Sequence, residues 1–335
     1  MNIGLFCLVE NYHDNVHEAI MEQLSLVELA EELGFDEIWF GEHHFNGFSV
    51  IPDPAAMIGY AAGRTGCIRL GSAGFLAPFY HPVRLAETIS VLDHLSNGRI
   101  NAGFAKGGFA PDTRHFVRSK DDLRTVMFET VEAVDLLLHG RPTTYGGEFV
   151  RLEGAAVTPL PFQKEVPFYI ATFSSEETIA FAAQNGYGLM MSQGASLAEC
   201  IEARNHYRSI AGHDPQMILM RILYLADTYE EAARGAMPGI DHFVRCMRAV
   251  QEEQTQPTFD LEAYEALLDE RKSFFNGQKF FDNAILGTPE HCIAAIQTIQ
   301  KELNHVHLVL KPSSTDHGHN RWMLSRFNAE IRPHL

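Results

Sequence analysis

An eight-stranded α/β barrel of parallel strands is the fold class that this 335-residue sequence predicts. Three observations lead there. Strand-like and helix-like segments alternate along the whole chain, about eight of each, and such alternation builds a parallel sheet covered by helices. No repeat, charge block or low-complexity linker divides the chain, so residues 1–335 read as one domain. No Gly-rich turn follows the first strand, where the competing architecture, an open doubly wound sheet, would carry its phosphate-binding fingerprint.

The first strand is "NIGLFCLV" (2–9). The segment 16–34 has apolar residues three and four apart and stops at Gly34, which reads as a helix. "FDEIWF" (35–40) is the second strand, 54–65 the second helix and "IRLGSAGFL" (68–76) the third strand. The helix over 81–98 carries Pro82 in its first turn and leaves through "NG". "RINAGFA" (99–105) is the fourth strand, followed by a helix over 121–140. Strand 167–173, helix 176–186, strand 187–192, helix 197–212, strand 216–226 and helix 229–250 continue the alternation. Residues 251–286 show no period and read as a long irregular insertion before the last strand. The helix over 288–304 has Thr288 at its N-cap, Pro289 at its first position and Glu290 in its first turn. "HVHLVLK" (305–311) is the last strand, "HGH" (317–319) a polar loop, and 321–331 the closing helix.

Composition narrows the partners. Hydrophobic residues make up 46% and charged residues 21%, enough for a large core. A net charge of −17 argues against a nucleic-acid or anionic-membrane surface. The N-terminus lacks a basic region followed by an apolar run, and no stretch approaches the ~18 apolar residues of a membrane span, so a cytoplasmic protein is expected. Cys7, Cys67, Cys200, Cys246 and Cys292 are scattered and odd in number, which suggests reduced thiols rather than disulfides or a zinc knuckle.

Chemistry is concentrated in "WFGEHHF" (39–45), at the C-terminal tip of the second strand, where a barrel keeps its functional groups. A metal site is disfavoured, because neighbouring side chains on an extended strand diverge and no H-E-x-x-H occurs. Two readings of the histidines stand from the residues alone: an acid, base or hydrogen-bond donor at the mouth, or a cap on the barrel's backbone. There is no GxGxxG, GxxxxGK[ST] or GxSxG, which removes the usual nicotinamide, nucleotide and hydrolase signatures.

"LGFDEIWFGEHHF" (33–45), "LGSAGFLAPFYHPVRLAETISVLDHLSNGRINAGFAKG" (70–107) and "GTPEHCI" (287–293) together resemble the flavin-dependent luciferase-like monooxygenases, nearest the bacterial luciferase α-subunit branch. The likeness continues more weakly through 167–193. It implies a (β/α)8 barrel that takes reduced FMN from a separate, transiently bound flavin reductase. It further implies activation of O2 as a flavin peroxide and oxidation of a small organic substrate, an aldehyde or similar. A homodimer pairing through the helices beside the early strands is also implied.

By the resemblance, His43 is the active-site histidine beside the flavin, with Glu42 and His44 orienting it. Ser72, Ala73 and Gly74 match the place of a non-proline cis peptide under the flavin ring. Lys106, Gly107 and Gly108 match the phosphate-holding segment, with Arg124 as a second phosphate ligand. Ala105 stands where the luciferases carry a reactive cysteine, and Thr172 and Phe173 where they carry a Glu-Ser pair. Ser174, Ser175 and the helix N-terminus beyond them are expected to substitute at the phosphate. Met190, Met191 and Ser192 are pocket candidates. The insertion 251–286 is expected to be a lid, with Phe274, Phe275 and Phe280 as its apolar cover. The competing functions are a deazaflavin-dependent oxidoreductase of the same fold and a non-catalytic flavin-binding subunit; the altered ring contacts favour a dark enzyme.

Overall fold

The computed structural model describes residues 1–45, 47–107, 115–116, 122–252 and 276–335, with side chains over 245–252 left aside. In chain order it begins with β1 (Ile3–Cys7), α1 (Val16–Glu32), β2 (Glu37–Phe40), α2 (Pro54–Arg64), β3 (Arg69–Ser72) and β4 (Phe75–Leu76). Next come α3 (Pro82–Leu95), β5 (Ile100–Ala105), α4 (Leu123–Leu138), β6 (Thr143–Gly146), β7 (Arg151–Ala155) and β8 (Phe168–Thr172). Then follow α5 (Glu176–Asn185), β9 (Gly188–Met191), α6 (Leu197–Ala211), β10 (Met217–Leu225) and α7 (Tyr229–Glu252). The chain ends through α8 (Gly277–Asp282), β11 (Ile285–Gly287), α9 (Pro289–Glu302), β12 (Val306–Pro312) and α10 (His317–Arg326).

β1, β2, β3, β5, β8, β9, β10 and β12 pair in parallel around a closed circle, β12 returning to β1. These are the eight strands expected from the sequence. β4 and β11 are short additions on β5 and β10. Among the described residues no helix is long and apolar enough to cross a membrane.

Local chemistry starts and stops the helices. Asn15 accepts the Glu18 N–H at the head of α1, and Asp53 accepts those of Ala55 and Ala56 ahead of Pro54 in α2. Ser196 and Glu199 form a reciprocal capping box on α6. Gly186 and Gly212, both at positive φ, end α5 and α6.

The core has two shells. The outer one lies between strand backs and helices and contains Leu5, Ile38, Phe40, Phe104, Ile170, Leu189, Met191, Leu308 and Leu310. The inner one fills the barrel with Phe6, Leu8, Trp39, Tyr169, Met190, Ile218, Met220 and Val309. Large rings there lie over glycines. A methyl group on Gly71 would come within 2.5 Å of the Trp39 ring, and one on Gly188 within 2.4 Å of the Tyr169 ring. At the N-terminal end of the barrel His307 Nδ1 donates to Glu37 (3.0 Å), and Arg69 donates to Asn101 Oδ1 (2.9 and 2.7 Å). The buried Glu37 carboxylate is thus kept hydrogen-bonded below the apolar plug, by His307 and by Asn101 Nδ2.

Several expectations are corrected. The third strand breaks at Ser72 into β3 and β4, because the five residues from Gly71 to Phe75 match the four from Asn101 to Phe104 on β5. The hairpin β6–β7 adds two strands that no period in the sequence announces; its residues pair locally outside the barrel and show no strong alternation. Within 251–286, residues 276–286 are not irregular, since they contain α8 and most of β11. Residues 253–275, and with them Phe274, Phe275 and most of the expected lid, lie outside the described residues. His317 and His319 stand in the first turn of α10 rather than in a loop, because Asp316 caps that helix by accepting the His319 N–H at 2.7 Å.

Candidate active site at the C-terminal mouth

The segment after β2 folds back so that His43 N–H donates to Ile51 O at 3.0 Å. Glu42, 5% exposed, is the hub of the arrangement. Its Oε1 accepts His44 Nε2–H at 2.8 Å, while its Oε2 accepts the Leu76 N–H at 3.1 Å and the Tyr80 hydroxyl at 2.9 Å. Burial, then the Glu42 carboxylate, pushes the Tyr80 phenol well up from its ordinary value, so it stays a donor. Glu42 and His44 therefore hold the tip of β2 to the segment beyond β3. His43 lies on the β1 side: a methyl on Gly41 would come within 3.8 Å of both His43 Cδ2 and Phe6 Cε2 of β1, and within 2.8 Å of Leu8 Cδ2 just after that strand. Burial, then neighbouring His44, lowers its pKa from 6.5 to about 4, which leaves a neutral imidazole at ordinary pH.

The peptide bond between Ala73 and Gly74 is cis, at the expected position. Ser72 does not present its side chain to the mouth. Its hydroxyl donates to Gly103 O (2.6 Å) and accepts the Gly103 N–H (3.0 Å), bridging the break in register between β3 and β5. Ala73 and Ala171 pack on the inner shell, so small side chains border the barrel interior on both sides of β5. Ala105 and Lys106 are half-buried at the end of β5, and Gly107 takes a left-handed φ of 70° beside Phe79. Gly108 lies outside the described residues. Phe116 stacks on Phe79 (centroids 5.1 Å) and stands edge-on to His44 (4.7 Å), joining the segments after β2 and β5.

On the β8 side, Ser175 caps α5 by accepting the Thr178 N–H, and Ser174 and Phe173 are exposed. Arg124, in the first turn of α4, reaches this N-terminus and ion-pairs with Glu177. Two buried polar atoms nearby, Thr172 Oγ1 and Arg124 Nε, have no hydrogen-bond partner among the described residues. They supply donors beside a helix N-terminus, the chemistry an anion such as a phosphate uses. The residues present fit the phosphate tail of a flavin.

β9 separates two neighbouring candidates. Met190 points into the barrel, where its methyl lies over Gly103, whereas Met191 belongs to the outer shell. Strand alternation puts only one of the two at the site. Ser192, at the strand end, accepts the Gly194 N–H through its hydroxyl. Leu76, Tyr80, Phe116 and Glu177 were missed by sequence reading; each joins the site through a partner more than thirty residues away, and no local pattern marks that. A cavity of about 450 Å³ at the N-terminal end, lined by Asp214, Gln216, His305 and His307 among others, touches none of the candidate residues.

Known proteins resemble this chain along most of its length. The family model of luciferase-like monooxygenases matches residues 1–304. Limonene 1,2-monooxygenase of Rhodococcus erythropolis is 27% identical over 85% of this chain and 73% of its own. The oxygenase component of the flavin-dependent trigonelline monooxygenase of Acinetobacter baylyi is 28% identical over 70% and 68%. The alkanal monooxygenase alpha chain of Photorhabdus luminescens is 25% identical over 89% and 86%. Among solved structures, monooxygenase RslO1 from Streptomyces bottropensis superposes with a TM-score of 0.85 at 25% identity, covering 100% of this chain and 99% of that one.

Proposed function

Because the chain belongs to the luciferase-like monooxygenase family, it is a flavin-dependent monooxygenase, and we propose that it is the oxygenase half of a two-component system. In this reading it takes FMN already reduced by a separate flavin reductase and uses O2 to oxidise a small organic substrate. The observation that carries the proposal is the pairing, at one mouth, of a neutral imidazole at His43 with the donor cluster of Arg124, Thr172 and Ser175. The lack of a nicotinamide signature supports a separate reductase, as does the oxygenase component named among the relatives.

Arg124, Ser174, Ser175 and the backbone after Lys106 would hold the phosphate, and Ala73, Gly74, Ala105 and Ala171 leave room for the ring. The bound reduced flavin supplies the electrons for O2 activation. His43, neutral and backed by apolar Phe6 and Leu8, accepts a proton or a hydrogen bond at the reacting edge. Glu42 and His44 fix the backbone that carries it. Met190 and Phe280 of the inner shell exclude water.

The test is an anaerobic titration of the protein with reduced FMN, followed by mixing with 18O2 and a panel of candidate substrates. Binding and transfer of one labelled oxygen to product support the reading; no binding of FMN in either redox state overturns it. Reduction of a substrate by a deazaflavin without O2 uptake would instead identify the hydride-transferring alternative, which F420-dependent proteins of the same fold exemplify. A flavin-binding protein with no turnover would identify the non-catalytic subunit. We further propose a homodimer formed through α2 and α3, whose outer faces expose Tyr60, Val91 and Leu95.

A further inference from the structure

An ion pair buried in the wall of the mouth has no part in the chemistry described so far. Lys311 occupies an inward position of β12, two residues beyond Val309 of the inner shell, and is 2% exposed. Its Nζ lies 2.5 Å from Glu10 Oε1, and Glu10 Oε2 accepts the Tyr12 hydroxyl at 2.8 Å. Desolvating an ammonium and a carboxylate costs about as much as their attraction returns, so such a pair is a poor device for stability alone. Its geometry is more informative.

Glu10 lies in the segment after β1, and that segment is zipped to the loop that carries His43. Glu10 bridges Ser49, the Val50 N–H donates to Val9 O (3.1 Å), and the Asn11 N–H donates to Phe48 O (2.7 Å). The Ser49 hydroxyl donates to Leu8 O at 2.6 Å. At the far end of the same loop Ile51 O receives the His43 N–H. Lys311 also reaches α7, with its ammonium 5.5 Å from the Phe243 ring centroid. Phe48 stands 6.1 Å from the same ring and 4.7 Å from His242. One ion pair thus couples β12, the segment after β1, the His43 loop and α7.

We propose that Glu10 and Lys311 are positioning residues for the monooxygenase reaction: their pairing sets loop 47–51, and through it His43, against the mouth. This rests on the functional reading above. The pair then governs the rate at which the loaded enzyme reacts, while flavin affinity, set on the α5 side, is independent of it.

The experiment compares the wild type with Lys311→Met, Lys311→Arg, Tyr12→Phe and the double variant Glu10→Gln/Lys311→Met, using FMN as the probe. Amide exchange of the flavin-free protein is followed over 9–11, over 41–51 and, as a reference, over 69–72. FMN affinity is read by fluorescence quenching, and the reaction of the reduced complex with O2 by stopped flow. Lys311→Met is expected to speed exchange at His43, Val50 and Asn11 about tenfold and to slow the O2 reaction by a similar factor, with FMN affinity unchanged. Lys311→Arg restores most of the rate, and Tyr12→Phe, which removes one hydrogen bond, costs about threefold. Removing both charges returns the melting temperature to near that of the wild type but not the rate. A double variant with wild-type exchange and rate, or FMN affinity falling in step with rate, overturns the proposal. The exchange measurement needs no flavin, so a wild type that binds no FMN sinks the functional reading while the coupling of Lys311 to the His43 loop is still decided.

Discussion

His43 carries a testable pH dependence. Its folded-state pKa of about 4 lies below the ordinary 6.5, so the unfolded chain takes up the proton first on acidification. Its contribution to stability is complete above pH 6.5 and declines as pH falls toward 4, by roughly 2–3 kcal/mol for this half-buried ring. Urea melts at pH 7.5 and 4.5 should therefore show a loss on acidification about 2 kcal/mol smaller in His43→Gln than in the wild type. The same variant should turn over at least about 100-fold more slowly, measured as labelled oxygen in product. At Glu42 the expected loss is structural. Glu42→Ala strands the buried Leu76 N–H and leaves the Tyr80 hydroxyl without its acceptor, which costs about 2–4 kcal/mol in chemical denaturation, whereas Glu42→Gln keeps an acceptor and costs less. The three polar residues in "GEHHF" were legible because a carboxylate and two imidazoles are out of place at the end of a buried strand. Their division of labour was not. It depends on Leu76 and Tyr80, which the pairing of β2 with β3 brings to Glu42.

Elements meet where side chains are missing. A methyl group on Gly103 would lie 2.1 Å from Ser72 O, at the break between β3 and β4. Gly103→Ala is expected to lose about 3 kcal/mol or more, or to fail to fold, as judged by soluble yield and thermal melting. Exposed Gly63, inside α2 with no atom within 4 Å of an added methyl, is the opposite case, and Gly63→Ala should stabilise by about 0.5–1 kcal/mol. At the N-terminus of α5 the Glu177 carboxylate holds Arg124, the side chain proposed to take the flavin phosphate. Glu177→Gln should therefore tighten FMN and leave riboflavin unchanged, while Arg124→Met should weaken FMN alone; fluorescence titrations with both flavins check the pair. Equal effects on the two flavins would place the phosphate elsewhere. The strand and helix order was readable from period alone, but whether Met190 or Met191 faces the interior was not. Parity on a four-residue strand follows from its register with β8 and β10.

As a whole the molecule is a closed barrel whose outer apolar surface is unevenly covered. Tyr60 on α2 and Val91 and Leu95 on α3 are 46%, 44% and 57% exposed, and Phe162 lies beside His94 at the same face. Single exposed apolar residues are ordinary, but a strip across two neighbouring helices suits a partner copy. Val91→Glu with Leu95→Glu should shift the protein from dimer to monomer in sedimentation without altering its far-UV spectrum; a wild type that sediments as a monomer removes this expectation. The sequence by itself determined the eight strands, their helices, the barrel they close into, the family and the stretches that build the mouth, because periodicity, caps and short motifs are written in neighbouring residues. Only the tertiary structure decided that Glu42 binds the segment beyond β3, that Arg124 meets Glu177, that Ser72 mends a strand break and that Lys311 pairs with Glu10. Each of these joins residues 31 to 301 positions apart, and a contact of that kind exists only once the elements that carry its two partners have packed together.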